Sequence, residues 1–149
     1  GNLDVLHSAQ LGEAKVFVLA IDDVKASLRT AELVRKHFPD VQIVARARNR
    51  FHASRLMDLG IERQIRETLP SSLEMARWTL KLLHEPPALA DQMVSTFARH
   101  DAEVLARQQA IAHDEGKLIQ SSREAREELA QILEEARTAF AKKAKGVKA

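Results

Sequence analysis

The feature that most constrains this chain is a strand, helix and strand set out in residues 15 to 45. Lys15 to Ile21 is an apolar run too short for a core helix and rich in strand formers. Without polar alternation it is expected to be a strand buried on both faces of a parallel sheet. Asp22 or Asp23 then caps a helix whose Val24, Leu28, Ala31, Val34 and Phe38 recur at helical spacing until Pro39. Val41 to Ala45 follows at once, so the two strands should run parallel through a right-handed crossover.

The same alternation continues on both sides. A short helix is expected over 3 to 11, stopped by Gly12. Asn49 is placed to cap another helix, with Phe51, Leu56 and Leu59 on one side and Gly60 closing it, before an extended piece over 61 to 65. Alternating helix and strand predicts an α/β fold, with residues 1 to 69 forming half of a Rossmann-like parallel sheet. A helix at the very start implies that the sequence begins inside a domain. No G-x-G-x-x-G occurs among the five glycines.

From residue 70 to 149 the pattern is helical only. Pro70 fits a first helical turn, and Leu73, Ala76, Leu80 and Leu83 form a stripe before Pro86 and Pro87. Trp78, the one tryptophan, lies off that stripe and reads as a second core face, with packing on a partner as the alternative. A long helix is expected from Ala88 to about His113, with Leu89, Met93, Phe97, His100 and Val104 on one side. Asp114, Glu115 and Gly116 interrupt it. Ser121 with Glu124 then reads as a capping box for a last helix carrying Leu129, Ile132 or Leu133, Ala136 and Phe140, a stripe in need of a partner.

Chemistry is concentrated at the end of the second strand. Side chains two apart share a strand face, so Arg46 and Arg48 would aim two guanidinium forks to one side of the strand's carboxyl end. Open α/β sheets bind ligands there, and arginine pairs with carboxylate or phosphate through two parallel hydrogen bonds. The plainer alternative is that both arginines lie in solvent or pair with acidic neighbours. Asp22 and Asp23 end the first strand and are candidates for a bound nucleotide, although helix capping alone accounts for one of them.

Other classes find less support. The absence of cysteine excludes disulfides and thiol nucleophiles, and the six histidines at 7, 37, 52, 84, 100 and 113 have no metal-binding spacing. Ser71 and Ser72 lack a nucleophile elbow. A net charge of +2 implies no bulk affinity for nucleic acid, and no apolar run approaches the roughly 18 residues of a membrane span, so a soluble polypeptide is expected. The carboxyl-terminal half of a nucleotide-dependent dehydrogenase would need a catalytic acid or base, and none is recognisable. A purely structural dimerisation module remains compatible with the long helices.

With these elements placed, the chain resembles the cytosolic regulatory domain of glutathione-gated potassium efflux antiporters of the Kef type. The segments VLAIDD at 18 to 23, ELVRKHFPDVQIVARARNR at 32 to 50, LMDLGIE at 56 to 62 and RET at 66 to 68 resemble that family's potassium-transport nucleotide-binding domain, the RCK or KTN domain. SREAREELAQIL at 122 to 133 resembles its carboxyl-terminal helix. The resemblance implies a regulatory module rather than an enzyme, on the cytoplasmic face of the bacterial inner membrane. Glutathione would hold the antiporter closed and its bulky conjugates would open it.

By motif, Arg46, Arg48 and Asn49 would stand where the family holds glutathione. Leu69 takes the place of an aromatic that gates access in well-known members. The resemblance further implies a homodimer, with the helices at 23 to 38 and 122 to 143 as interfaces. It implies as partners a membrane antiporter domain of the same parent protein and an auxiliary quinone-oxidoreductase-like subunit. An adenine nucleotide, AMP or NAD(H), is expected where a glycine-rich first half precedes residue 1.

Overall fold

The computed structural model describes residues 3–8, 10–112 and 114–146, and His113 lies outside them. The chain divides into two compact units, Gly1–Pro70 and Ser71–Ala149.

The first unit is a Rossmann-like α/β layer. Strands β1 (Val16–Leu19), β2 (Gln42–Ala47) and β3 (Gln64–Arg66) are all parallel in the order β1-β2-β3, with Val18 opposite Val44 and Arg46 opposite Ile65. The helices α1 (Leu3–Ser8), α2 (Val24–His37) and α3 (Arg50–Asp58) complete it. Asp23 fixes the start of α2, its Oδ1 accepting the Ala26 amide at 2.7 Å, and Asn49 does the same for α3 through the His52 amide at 2.9 Å. Gly60, at φ +69°, ends α3: its amide donates to Met57 O, and the Ile61 amide donates to Leu56 O at 3.0 Å. That is the paired-bond C-cap in which a left-handed residue is needed, and it joins two fully buried side chains, Leu56 and Ile61.

Successive right-handed crossovers that advance in one direction place α2 and α3 on one side of the sheet. There Leu19, Ile43, Ala45 and Ala47 are buried with Ala31, Val34, Ala53 and Leu56. The expectation that β1 is buried on both faces is therefore corrected. Val16, Val18, Val44 and Ile65 share the opposite face and are exposed, Val18 by 67%, because no helix of this unit covers that side. Phe51 is likewise exposed, and the buried stripe of α3 is His52, Ala53 and Leu56. The first helix stops earlier than Gly12. It ends at Ser8, and Gln10, at φ 52°, leads into a 3-10 turn over Leu11–Glu13 that contains Gly12.

The second unit is helical: α4 (Leu69–Leu82), α5 (Pro87–Gln109) and α6 (Glu115–Gly146). Pro87 takes the first turn of α5, where its missing N–H costs nothing. Leu89, Ala90, Val94 and Val104 of α5 are buried along with Ala125 of α6, which packs on α5, while Leu129, Ile132, Leu133, Ala136 and Phe140 of the last helix are half-buried. Met93 and Phe97 of α5 are half-buried too. Arg77 of α4 pairs with Glu74 on its own helix and with Asp91 of α5 at 2.8 Å.

Two sequence expectations fail here. No residue of α4 is buried, and Trp78 is not part of a second core face: Met75, Trp78 and Leu82 line up at helical spacing and are exposed by 64, 59 and 79%. The capping box at Ser121 does not form, because α6 already starts at Asp114, whose Oδ1 accepts the Lys117 amide at 3.0 Å. The polar break at Gln120, Ser121 and Ser122 then runs on as helix, the Ser122 hydroxyl donating back to Leu118 O at 2.8 Å.

Candidate functional site at the strand carboxyl ends

The parallel order of the strands puts the residues that follow β1, β2 and β3 in a row, and the row is charged. Arg46 is the fifth of six residues of β2 and stands on the open face of the sheet with Val44 and Ile65. Its Nη2 donates to Ala20 O at 2.9 Å and pairs with Asp22 beyond β1. Arg48, just past β2, reaches the other way, and its Nη1 lies 3.3 Å from Glu67 Oε2 beyond β3. The Glu67 amide donates to Ala47 O at 2.8 Å, which continues the ladder from β3 and fixes the start of that side chain.

The two arginines thus do not converge in isolation. Each is tied to a carboxylate on the neighbouring strand end, giving the order Asp22, Arg46, Arg48, Glu67 across the sheet. These ties are partly solvated, with the Arg48 side chain 52% exposed, so they hold direction more than they add stability. The bonds to Asp22, Ala20 and Glu67 engage one terminal nitrogen of each fork. An arginine has five N–H donors, so both keep donors for an incoming anion.

The remaining sequence candidates are placed as follows. Asn49 is occupied as the cap of α3, and Asp23 as the cap of α2. Asp22 is exposed and faces Arg46. Leu69, half-buried, opens α4 two residues after Glu67.

Sequence reasoning missed two participants. Glu67 was visible only as the middle of RET, and nothing in the spacing connected it with Arg48 across nineteen residues. His52 is fully buried on α3, its Nδ1 accepting the backbone amide of Arg48 at 3.1 Å. Its position three residues after a capping Asn, beside an alanine, was the available signal. Burial holds its pKa below the ordinary 6.5.

A second polar cluster lies between α5 and α6. Glu128 accepts from both terminal nitrogens of Arg107, at 2.7 and 3.2 Å, and lies 3.2 Å from the Nε2 of the buried His100. The Arg107 guanidinium, and after it the imidazole, draw the Glu128 carboxyl down to about 2, while Glu128 raises the pKa of Arg107. A groove of about 640 Å³ opens beside it, lined in part by His100, Arg107, Glu128 and Ile132.

Among the described residues no helix is long and apolar enough to cross a membrane. Residues 71–146 match the potassium efflux system KefB C-terminal domain, and residues 2–67 match the TrkA-N domain. The chain is 35% identical to the glutathione-regulated potassium-efflux system protein KefC of Escherichia fergusonii, over 75% of this chain and 18% of that protein. The KefC of Escherichia coli O139:H28 gives the same identity and coverage. The chain therefore spans under a fifth of the length of these curated relatives.

Among solved structures, the Kef CTD of Shewanella denitrificans, in AMP-bound form, superposes with a TM-score of 0.70 at 34% identity. That match covers 72% of this chain and 68% of that one. The α/β sheet and the helical unit that follows are accounted for together: the chain belongs to the family of C-terminal regulatory domains of Kef potassium efflux systems.

Proposed function

We propose that this chain is a ligand-sensing domain that gates a potassium/proton antiporter, and that glutathione binds at Arg46 and Arg48. The observation that carries the reading is the row Asp22, Arg46, Arg48, Glu67 at the strand carboxyl ends, where two guanidinium forks are held in place yet retain donors. Glutathione offers two carboxylates to those forks and one ammonium group to a flanking carboxylate, Asp22 or Glu67. An arginine pair without the carboxylates would suit any dianion; the alternation favours a zwitterion. The name of the KefC relatives, glutathione-regulated, supports the same ligand. Asn49 shapes this site by capping α3, and Leu69 stands where access to a bound thiol conjugate would be controlled.

An adenine nucleotide, as in the Shewanella structure, would meet this chain at Asp22. That carboxylate is exposed and suited to ribose hydroxyls, whereas Asp23 is committed to its helix. A homodimer and a membrane antiporter domain on the cytoplasmic side of the inner membrane are the partners proposed, with an auxiliary quinone-oxidoreductase-like subunit. The exposed row Met75, Trp78 and Leu82, with the open sheet face, supports burial against protein. The role is regulatory and not enzymatic.

Isothermal calorimetry of reduced glutathione into the whole chain tests the ligand. Binding is expected for the wild type, with a loss of about tenfold or more in Arg46→Ala, since a charged hydrogen bond is worth about 1.5–3 kcal/mol. Equal binding by both proteins, or none by either, rejects the site.

A further inference from the structure

We propose that His52 is the positioning residue of the arginine-bearing turn, and that it holds the turn only while its ring is neutral. The proposal rests on the reading that Arg46 and Arg48 hold the ligand. The geometry is reciprocal: Asn49 Oδ1 accepts the His52 amide at 2.9 Å, and His52 Nδ1 reaches back to accept the Arg48 amide at 3.1 Å. This resembles a capping box shifted by one residue, so that the bond lands on Arg48 and not on the cap itself. It pins the backbone of the residue that precedes the cap of α3, the point from which the Arg48 side chain departs.

An N–H donor aimed at Nδ1 fixes the proton of the neutral ring on Nε2. Protonation places a second hydrogen on Nδ1, directly opposed to the Arg48 N–H, and the bond is lost. The surroundings oppose that charge. His52 is fully buried, and its Nε2 has no partner among the described residues.

The helix that carries it packs on α2, β2 and β3, whose buried residues include Ser27, Thr30, Ala45 and Ala47, and Gln64 of β3 donates to the O of the adjacent Ala53 at 3.4 Å. The half-buried charged residues on α2, α3, β2 and β3 are the cations Arg35, Arg46, Arg50 and Arg66, and the carboxylate of Asp58 on α3, with its side chain 30% exposed, is paired with Arg55. The other charges on those elements are exposed, and the carboxylates of the row, Asp22 and Glu67, are engaged by Arg46 and Arg48. No buried anion is offered to an imidazolium.

The consequence is a ligand site that loosens in acid. Affinity for an anionic ligand should be full while His52 is neutral and should fall as the pH drops below the ordinary imidazole value of 6.5. The carboxylates, amine and thiol of glutathione titrate outside that window.

The test follows the wild-type imidazole nitrogens and the Arg48 amide by NMR from about pH 7.5, above the ordinary imidazole range, down to the end of the His52 transition. Calorimetry with reduced glutathione is run at both ends for the wild type, His52→Asn and His52→Leu. Expected are an Nε2–H tautomer, an Arg48 amide shift that tracks His52 protonation, and wild-type affinity that falls about tenfold in acid, the worth of one hydrogen bond.

His52→Asn, whose amide oxygen can take the place of Nδ1, should bind as the wild type does at the higher pH and lose the acid dependence. His52→Leu should be weaker at both. An Nδ1–H tautomer, an Arg48 amide indifferent to His52 titration, or an acid dependence that survives in His52→Asn overturns the proposal. Should the wild type bind no glutathione at any pH, the ligand reading fails alone. The tautomer and the Arg48 amide, measured without ligand or substitution, still decide the role of His52.

Discussion

Arginine meets carboxylate in both units of this molecule, and the two arrangements differ in what they leave open. At the strand ends, Arg46 and Arg48 each commit one terminal nitrogen to a neighbour on the next strand. On the helical unit, Arg107 gives both terminal nitrogens to Glu128, which also faces the buried His100. The first arrangement orients cations and keeps donors; the second closes a three-way contact that joins α5 to α6. A bidentate pair backed by a buried ring stabilises a helix pair, whereas a row of single ties at a sheet edge suits a ligand that arrives and leaves.

That contrast can be broken from several sides. The largest effect is expected from Leu56→Ala, which removes a fully buried side chain of α3 and hollows the core there. A loss of about 2–5 kcal/mol in chemical denaturation is expected, confined to the transition of the first unit. A loss shared by both transitions would show that the units unfold as one.

Acid should act in the opposite place. Glu128 has a folded-state pKa near 2 against an ordinary 4.5, so its contribution is fully present above 4.5 and fades as the pH falls toward 2. Circular dichroism of Glu128→Gln should lack the acid-induced loss of helix that the wild type shows in that window. An unchanged profile would mean that Glu128 does not hold α5 and α6 together.

A smaller loss, about 1 kcal/mol, is expected for Gly60→Ala. No atom lies within 4 Å of a Cβ added there, so the cost comes from the left-handed backbone alone. Smallest is Glu67→Gln, which removes the solvated partner of Arg48. Stability should move by less than about 1 kcal/mol, and a greater change would place this row among structural pairs.

The sheet was legible because its signals are local. The apolar run at 15 to 21, the capping Asp23 and Asn49, and Gly60 as a helix stop act within a few residues, and each sits in its expected role. The open face of β1 was not legible. An apolar run shows that both faces can be buried, not that a chain supplies cover for both. Ser121 misled because a capping motif competes with caps upstream, and Asp114 already satisfied the helix start. Trp78 misled because amphipathic spacing is silent on which apolar row of α4 meets the rest of the chain. At the site, Arg46 and Arg48 were found from their own spacing, but the neighbours that aim them, Asp22, Glu67 and His52, come from three different elements and are assembled only by the fold.

In the proposed function the ligand is received by the arginine row at the strand ends and not by the closed cluster on α5 and α6. The most direct measurement is a titration of reduced glutathione into isotope-labelled chain, followed residue by residue through backbone amides. Saturable shifts are expected, centred on Ala45 to Asn49 and on Asp22 and Glu67, with Arg107 and Glu128 unmoved. Saturable shifts centred on Arg107 and Glu128, or none at Ala45 to Asn49, would contradict the proposed function.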